Sequence, residues 1–223
     1  MTATYHTDFE QGSGDWIAQR CGMLTASEMS NILTPTLKVA SNEKERQHLC
    51  ELLAQRINQY VEPQYISDAM LRGESEEILA REMYAEKYAP VAMCGLITND
   101  KWGFRMGYSP DGLVGDDGLI EIKSRNQKYQ MQTIIENVLP VEFSLQIQTG
   151  LLISERKWCD FISYSGGMPM FVLRVSPDPV IHNAIVEAAT AFEARIKEKL
   201  QTYSANAKNF HMTERRDYED IIL

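Results

Sequence analysis

With 223 residues, 44% of them hydrophobic and 24% charged, the chain can bury one sizeable core and reads as a single globular domain over 1–223. Its net charge of −9 excludes a protein that coats nucleic acid through a broadly basic surface, so any phosphate-binding cations must be concentrated locally. No apolar run approaches the ~20 residues of a membrane span, and the N-terminus lacks the basic-then-apolar pattern of an export signal; no membrane association and a cytoplasmic location are expected.

The predicted elements follow in chain order. Thr25-Ala-Ser-Glu28 has the form of a capping box and opens a helix that runs through Leu33 until Pro35 stops it. From Asn42 to Tyr60 the positions Leu49, Leu52, Leu53, Ile57 and Tyr60 form a helical stripe. A second stripe, with Met70, Leu71, Ile78, Leu79 and Met83, predicts a helix over Ser67 to Tyr88. Val91 to Thr98, Trp102 to Tyr108 and Leu119 to Ser124 read as strands, followed by helices over Gln127 to Asn137 and from Pro140 to Ile153. Lys157 to Tyr164 and Met170 to Val175 are two further strands around a Gly166-Gly167 turn. A closing helix spans Pro179 to Tyr203, and the polar stretch from Ser204 onward is expected to be a loosely held tail. The order predicts a mixed α/β (α+β) fold: a central mixed β-sheet flanked by helices. Cys21, Cys50, Cys94 and Cys159 form no C-x-x-C pair, so buried reduced thiols are expected in place of a zinc or iron–sulfur site.

The chemistry-bearing stretch is Ser109-Pro110-Asp111-Gly112, then Glu121-Ile122-Lys123. On a strand, Glu121 and Lys123 share a face while Ile122 points the other way. A turn at Asp116-Asp117-Gly118 folds Asp111 back beside Glu121. Two converging carboxylates suit Mg²⁺, which in such a site polarises a phosphoryl oxygen and activates a water. Lys123 would orient that water or offset developing negative charge. The bland alternative is an ordinary hairpin with an exposed Glu and Lys.

Further segments resolve that choice. Trp16-Ile-Ala-Gln-Arg20-Cys-Gly-Met-Leu-Thr25-Ala-Ser27-Glu28, Arg72-Gly73-Glu-Ser-Glu-Glu77, Ser109-Pro-Asp111-Gly112 with Glu121-Ile-Lys123, and Gln146-Ile-Gln148 occur in the order and spacing of one family. On them the chain resembles phage lambda exonuclease and the related YqaJ-type viral recombinase alkaline exonucleases of the PD-(D/E)xK superfamily. The resemblance implies a restriction-endonuclease-like core and a deoxyribonuclease that digests one strand of linear double-stranded DNA from its 5′ end. The products would be mononucleotides and a 3′ overhang. It also implies two Mg²⁺ ions, replaceable by Mn²⁺, a homotrimeric ring, a single-strand annealing protein as partner in recombination, and a phage or prophage origin.

Residue by residue, the resemblance implies metal binding by Asp111, Glu121, the Ile122 carbonyl and Glu77. Lys123 and Gln146 would complete the catalytic set. Glu74 shares a helix face with Glu77 and is a rival ligand, whereas Glu76 points elsewhere. Arg20, Ser27 and Ser109 match residues that hold a 5′-phosphate, and Arg20 is read as lying just ahead of a helix start. Met70 matches the apolar residue that splits the terminal base pairs, with core filling as the alternative. Arg72 and Lys38 are candidate backbone contacts. Two positions depart from the family: Ser124-Arg125 stands for Cys-Pro after E-x-K, and Thr149 for a tyrosine after Gln-x-Gln. An endonuclease on the same core and a catalytically silent DNA-binding module remain the alternatives.

Overall fold

The computed structural model describes residues 3–63 and 65–215. The elements are β1 (Thr4–His6), α1 (Gly14–Arg20), β2 (Leu24–Thr25), a 3₁₀ turn (Ala26–Glu28), α2 (Met29–Ile32), α3 (Glu43–Asn58), α4 (Asp68–Lys87) and β3 (Leu96–Asn99). There follow β4 (Met106–Tyr108), β5 (Gly112–Val114), β6 (Gly118–Ser124), α5 (Gln127–Glu136), α6 (Val141–Ser154), β7 (Trp158–Tyr164), β8 (Phe171–Val175), α7 (Pro179–Asn206) and a last 3₁₀ turn (Ala207–Asn209). The fold is mixed α/β as predicted, but the strands divide into two four-stranded sheets, ordered β1-β3-β4-β2 and β5-β6-β7-β8. Each sheet is mixed: β2 runs parallel to β4 and β6 parallel to β7, and the other pairs are antiparallel. The parallel β6–β7 pair requires a long crossover, which α5 and α6 supply.

Local chemistry sets most boundaries. Asn42 caps α3 by accepting from the Glu45 N–H, Ser67 caps α4 by accepting from the Met70 N–H, and Asp178 caps α7 with Pro179 in its first turn. In the Thr25 capping box, Glu28 Oε2 accepts from the Thr25 hydroxyl at 2.6 Å and from its N–H at 3.3 Å. The turn that follows is 3₁₀ before it becomes α2, so the predicted helix to Leu33 is shorter and tighter than its pattern suggested. The strand predicted over Trp102 to Tyr108 shrinks to β4 because Gly103, at φ 82°, turns back to the Asp100 carbonyl. The strand predicted over Val91 to Thr98 shrinks to β3, with Ala92 making only an isolated bridge to Leu113.

β6 and β7 are buried on both faces. Leu119, Cys159 and Phe161 face the main core with α6 and α7, while Ile120, Ile122 and Ile162 face a smaller cluster capped by Ala80 and Tyr84 of α4. α6 is the central helix, with Leu145, Ile147, Leu151 and Ile153 buried. On α7, Ile185, Ala188, Phe192 and Ile196 form the buried stripe, and Leu200 lies exposed beyond it.

Three further expectations change. The stripe predicted to bury α4 is largely exposed: Met70, Leu71, Ile78, Leu79 and Met83 are each 41% to 52% accessible. Small Ala80 lets the helix approach the sheet, and Tyr84 anchors it by donating to Asp160 Oδ2 at 2.6 Å, so the opposite face packs inward. The tail expected from Ser204 is helical through Asn206 and turns once more, and Arg215 stacks on Tyr60; residues 216–223 lie outside the described residues. Of the thiols, Cys94 and Cys159 are buried, but Cys21 is partly accessible and Cys50 exposed. Among the described residues no helix is long and apolar enough to cross a membrane.

Candidate active site

β5 and β6 form the hairpin anticipated at Asp116-Asp117-Gly118, with Gly112 opposite Ile120. β5 starts at Gly112, whereas β6 continues to Ser124, so beyond Ile120 one edge of β6 has no ladder partner from β5. Extending the register places Asp111 opposite Glu121 at the mouth of that edge, where side chains of cross-strand neighbours meet. Asp111 Oδ2 accepts the Ile122 N–H at 2.5 Å. The strand geometry that turns this N–H outward turns the Ile122 carbonyl to the same edge.

Glu121 is 1% exposed and Asp111 9%. One Glu121 oxygen accepts from the Lys123 ammonium at 2.8 Å and from the Gln146 amide of α6; the other accepts from the Tyr108 hydroxyl at 2.7 Å. From α4, Arg81 donates to the Asp111 carbonyl at 3.0 Å and pairs with Glu77 at 3.3 Å. Glu76 instead accepts from Ser124 and the Gly166 N–H, and Glu74 is exposed, so Glu77 is the α4 acid that faces the pair.

Burial, reinforced by Glu121 and Glu77, pushes the Asp111 carboxyl well above its ordinary range. Burial likewise raises Glu77, against the pull of Arg81. Burial also works against the Lys123 charge, but Glu121 and Asp111 outweigh it and hold the ammonium above its usual value. Three carboxylates therefore face two cations in a largely dry pocket. This donor set fits a hard divalent ion, which would relieve the repulsion. Among the described residues no three Asp, Glu, His or Cys side chains are already spaced to hold a cation; Asp111 accepts the Ile122 N–H, and Glu121 accepts from Tyr108, Lys123 and Gln146.

The second group lies where β2 and β4 end. The parallel register Thr25–Gly107 carries Ser27 and Ser109 off the same end of that strand pair. Arg20 Nη1 donates to Ser109 Oγ at 3.3 Å, Trp16 Nε1 donates to the same oxygen at 2.8 Å, and the guanidinium stacks 4.1 Å from the Trp16 ring centroid. Burial lowers the Arg20 pKa, partly offset by Glu28. Ser27 is exposed and its hydroxyl meets Thr25 Oγ1 at 3.3 Å. Arg20 lies in the last turn of α1, a helix not anticipated in the sequence, and still ahead of the Thr25-capped 3₁₀ turn that was expected to start the next helix.

Met70 is exposed near the start of α4, which removes the core-filling alternative. Gln148 is buried and structural, donating to the Ser176 carbonyl and accepting the Asp178 N–H. Arg72 is half exposed beside Glu76, and Lys38 stands apart on the loop after α2. Sequence reasoning missed Tyr108, Arg81 and Trp16. Arg81 had a signal in its i+4 spacing from Glu77. Tyr108 had none: its ring lies against Gly150 of α6, where an added Cβ would come within 2.7 Å of it. Thr149 turns its hydroxyl to the Leu145 carbonyl, so the aromatic partner of the site comes from β4 instead.

Residues 15–157 match the model of the YqaJ-like viral recombinase domain. Among solved structures, the chain resembles the alkaline exonuclease LHK-Exo from Laribacter hongkongensis, at 31% identity over 88% of this chain and 99% of that one, with a TM-score of 0.78. LHK-Exo in complex with dAMP aligns at 32% identity over the same shares, with a TM-score of 0.79. A phage-related exonuclease from Haemophilus somnus 129PT, 9% identical over 80% of this chain and 96% of that one, shares the fold at a TM-score of 0.57. No curated protein sequence matches.

Proposed function

Because the chain belongs to the YqaJ-like viral recombinase family and is a nuclease, we propose that it is a Mg²⁺-dependent 5′-to-3′ exonuclease acting on linear double-stranded DNA. The observation that carries this reading is the buried Asp111–Glu121 pair with Lys123 at the open edge of β6. Asp111, Glu121, Glu77 and the Ile122 carbonyl would hold two Mg²⁺ ions, with Mn²⁺ able to substitute. When bound, such ions polarise a phosphoryl oxygen and lower the pKa of a water. Lys123 would exchange part of its bond to Glu121 for the attacking water, and Gln146 would donate to a scissile-phosphate oxygen. The water oxygen attacks phosphorus and the P–O3′ bond breaks. The mononucleotide leaves with the 3′ oxygen, which takes up the proton given up by the attacking water and becomes a hydroxyl, and the shortened strand carries a new 5′-phosphate.

That product supports the role of the second group. Arg20, Ser109 and Ser27 would bind the 5′-phosphate, so each turnover regenerates the group they recognise. Exposed Met70 would wedge between the strands. A homotrimeric ring, hand-over of the 3′ overhang to a single-strand annealing protein, and action in the cytoplasm of a bacterial host of a phage or prophage belong to the same proposal.

The test is Mg²⁺-dependent digestion of linear duplex labelled at either end, with 5′-phosphate or 5′-hydroxyl termini, beside closed circular DNA and Lys123→Ala. The reading expects 5′ label released as mononucleotide, faster from phosphorylated ends, none from circles and none from the variant. Internal cuts in circles would mean an endonuclease, and binding without phosphate release a silent DNA-binding module.

A further inference from the structure

Glu121 and Lys123 share one face of β6, and Arg125 is the first residue past that strand's end at Ser124. Its backbone is pinned by the N–H donated to the Tyr164 carbonyl at 2.7 Å. Its guanidinium lies 5.0 Å from the Phe143 ring centroid and 5.2 Å from that of Tyr129, and the Lys123 ammonium lies 5.6 Å from the same Phe143 ring. The side chain is only 11% exposed, yet its Nε has no hydrogen-bond partner among the described residues. Among the described residues the one anion it meets is Glu142, bound through Nη1 at 2.9 Å and itself 52% exposed.

A guanidinium presents Nε and Nη donors as a planar fork matched to two oxygens of one anion, and here half the fork is unused. The half in use is satisfied by a carboxylate that water already reaches, so it can leave without being stranded. We propose that Arg125 is a substrate-binding residue that grips a DNA backbone phosphate next to the one hydrolysed, and that Glu142 occupies the guanidinium in free enzyme and yields it to that phosphate. Phe143 and Tyr129 hold the fork flat against the site, and Phe143 ties its position to that of Lys123. The inference rests on the nuclease reading and adds to it a specific contact and a built-in competing anion. Neither is available to a chain with a proline at this position.

The experiment measures duplex affinity by fluorescence anisotropy with a labelled 5′-phosphorylated duplex in Ca²⁺, over a salt series, for wild type, Arg125→Ala, Arg125→Lys and Glu142→Gln. Mononucleotide release in Mg²⁺ is followed alongside. Loss of one phosphate contact should reduce the slope of log K against log salt by about 0.9 in Arg125→Ala. Arg125→Lys should keep the slope with lower affinity, and Glu142→Gln should bind several-fold tighter. An unchanged slope in Arg125→Ala, or no gain in Glu142→Gln, overturns the inference while wild type still releases nucleotides. Absence of wild-type nucleotide release would instead bring down the nuclease reading.

Discussion

Gly150→Ala tests whether the Tyr108 ring positions Glu121. Gly150 sits inside α6, where alanine is ordinarily the better residue by about 0.8–1 kcal/mol. Here the new methyl would stand 2.7, 2.8 and 3.0 Å from three atoms of the Tyr108 ring. Tyr108 is 1% exposed and its hydroxyl is tied to Glu121, so the ring cannot swing into solvent. Overpacking of this kind costs about 1–3 kcal/mol. Subtracting the helix gain leaves a net loss of about 0–2 kcal/mol, or at most roughly 4–8 °C in melting temperature for a chain of this size. The larger effect should be on catalysis, because a displaced hydroxyl releases one Glu121 oxygen. Nucleotide release should fall at least 10-fold while the fold survives by circular dichroism. Tyr108→Phe should reproduce the loss without the clash, and Gly150→Ala on that background should add little. A Gly150→Ala protein that is more stable than wild type and fully active would refute the reasoning.

In the metal-free protein Asp111 has a raised folded pKa, so the folded state binds more protons and stability should fall as pH rises above the ordinary Asp value of about 3.9. Asp111→Asn keeps an acceptor for the Ile122 N–H without the charge; it should melt higher than wild type in chelator at neutral pH and lose most of the Mg²⁺-induced stabilisation. Calorimetry against pH checks both, and an unchanged Mg²⁺ shift would remove Asp111 from the metal ligands. Away from the site, Arg56 binds Glu193 through two nitrogens at 2.8 and 2.6 Å, and Glu193 is 4% exposed. Arg56→Ala should cost about 3–5 kcal/mol in urea unfolding by stranding a buried carboxylate, with Arg56→Ala/Glu193→Gln recovering part of it.

What the sequence determined by itself was the chemistry whose geometry is local. A period of two puts Glu121 and Lys123 on one face, a tight turn brings Asp111 back to them, and caps at Asn42, Ser67 and Asp178 start helices at those residues. These follow from backbone periodicity and short-range hydrogen bonds, which neighbours in the chain already specify. Only the tertiary structure decided which face of α4 meets the sheet. Its apolar stripe was legible, but Ala80 and Tyr84 win the contact because one permits close approach and the other finds Asp160, far away in sequence. The same holds for the residues that complete the site. Tyr108 reaches Glu121 with its ring against Gly150, Gln146 arrives on α6, and Arg20 meets Ser109 directly while stacked on the ring of Trp16. Each of these contacts joins elements distant along the chain, so its partner is chosen by packing volume and by the need to satisfy buried polar atoms, and neither is written in any local pattern.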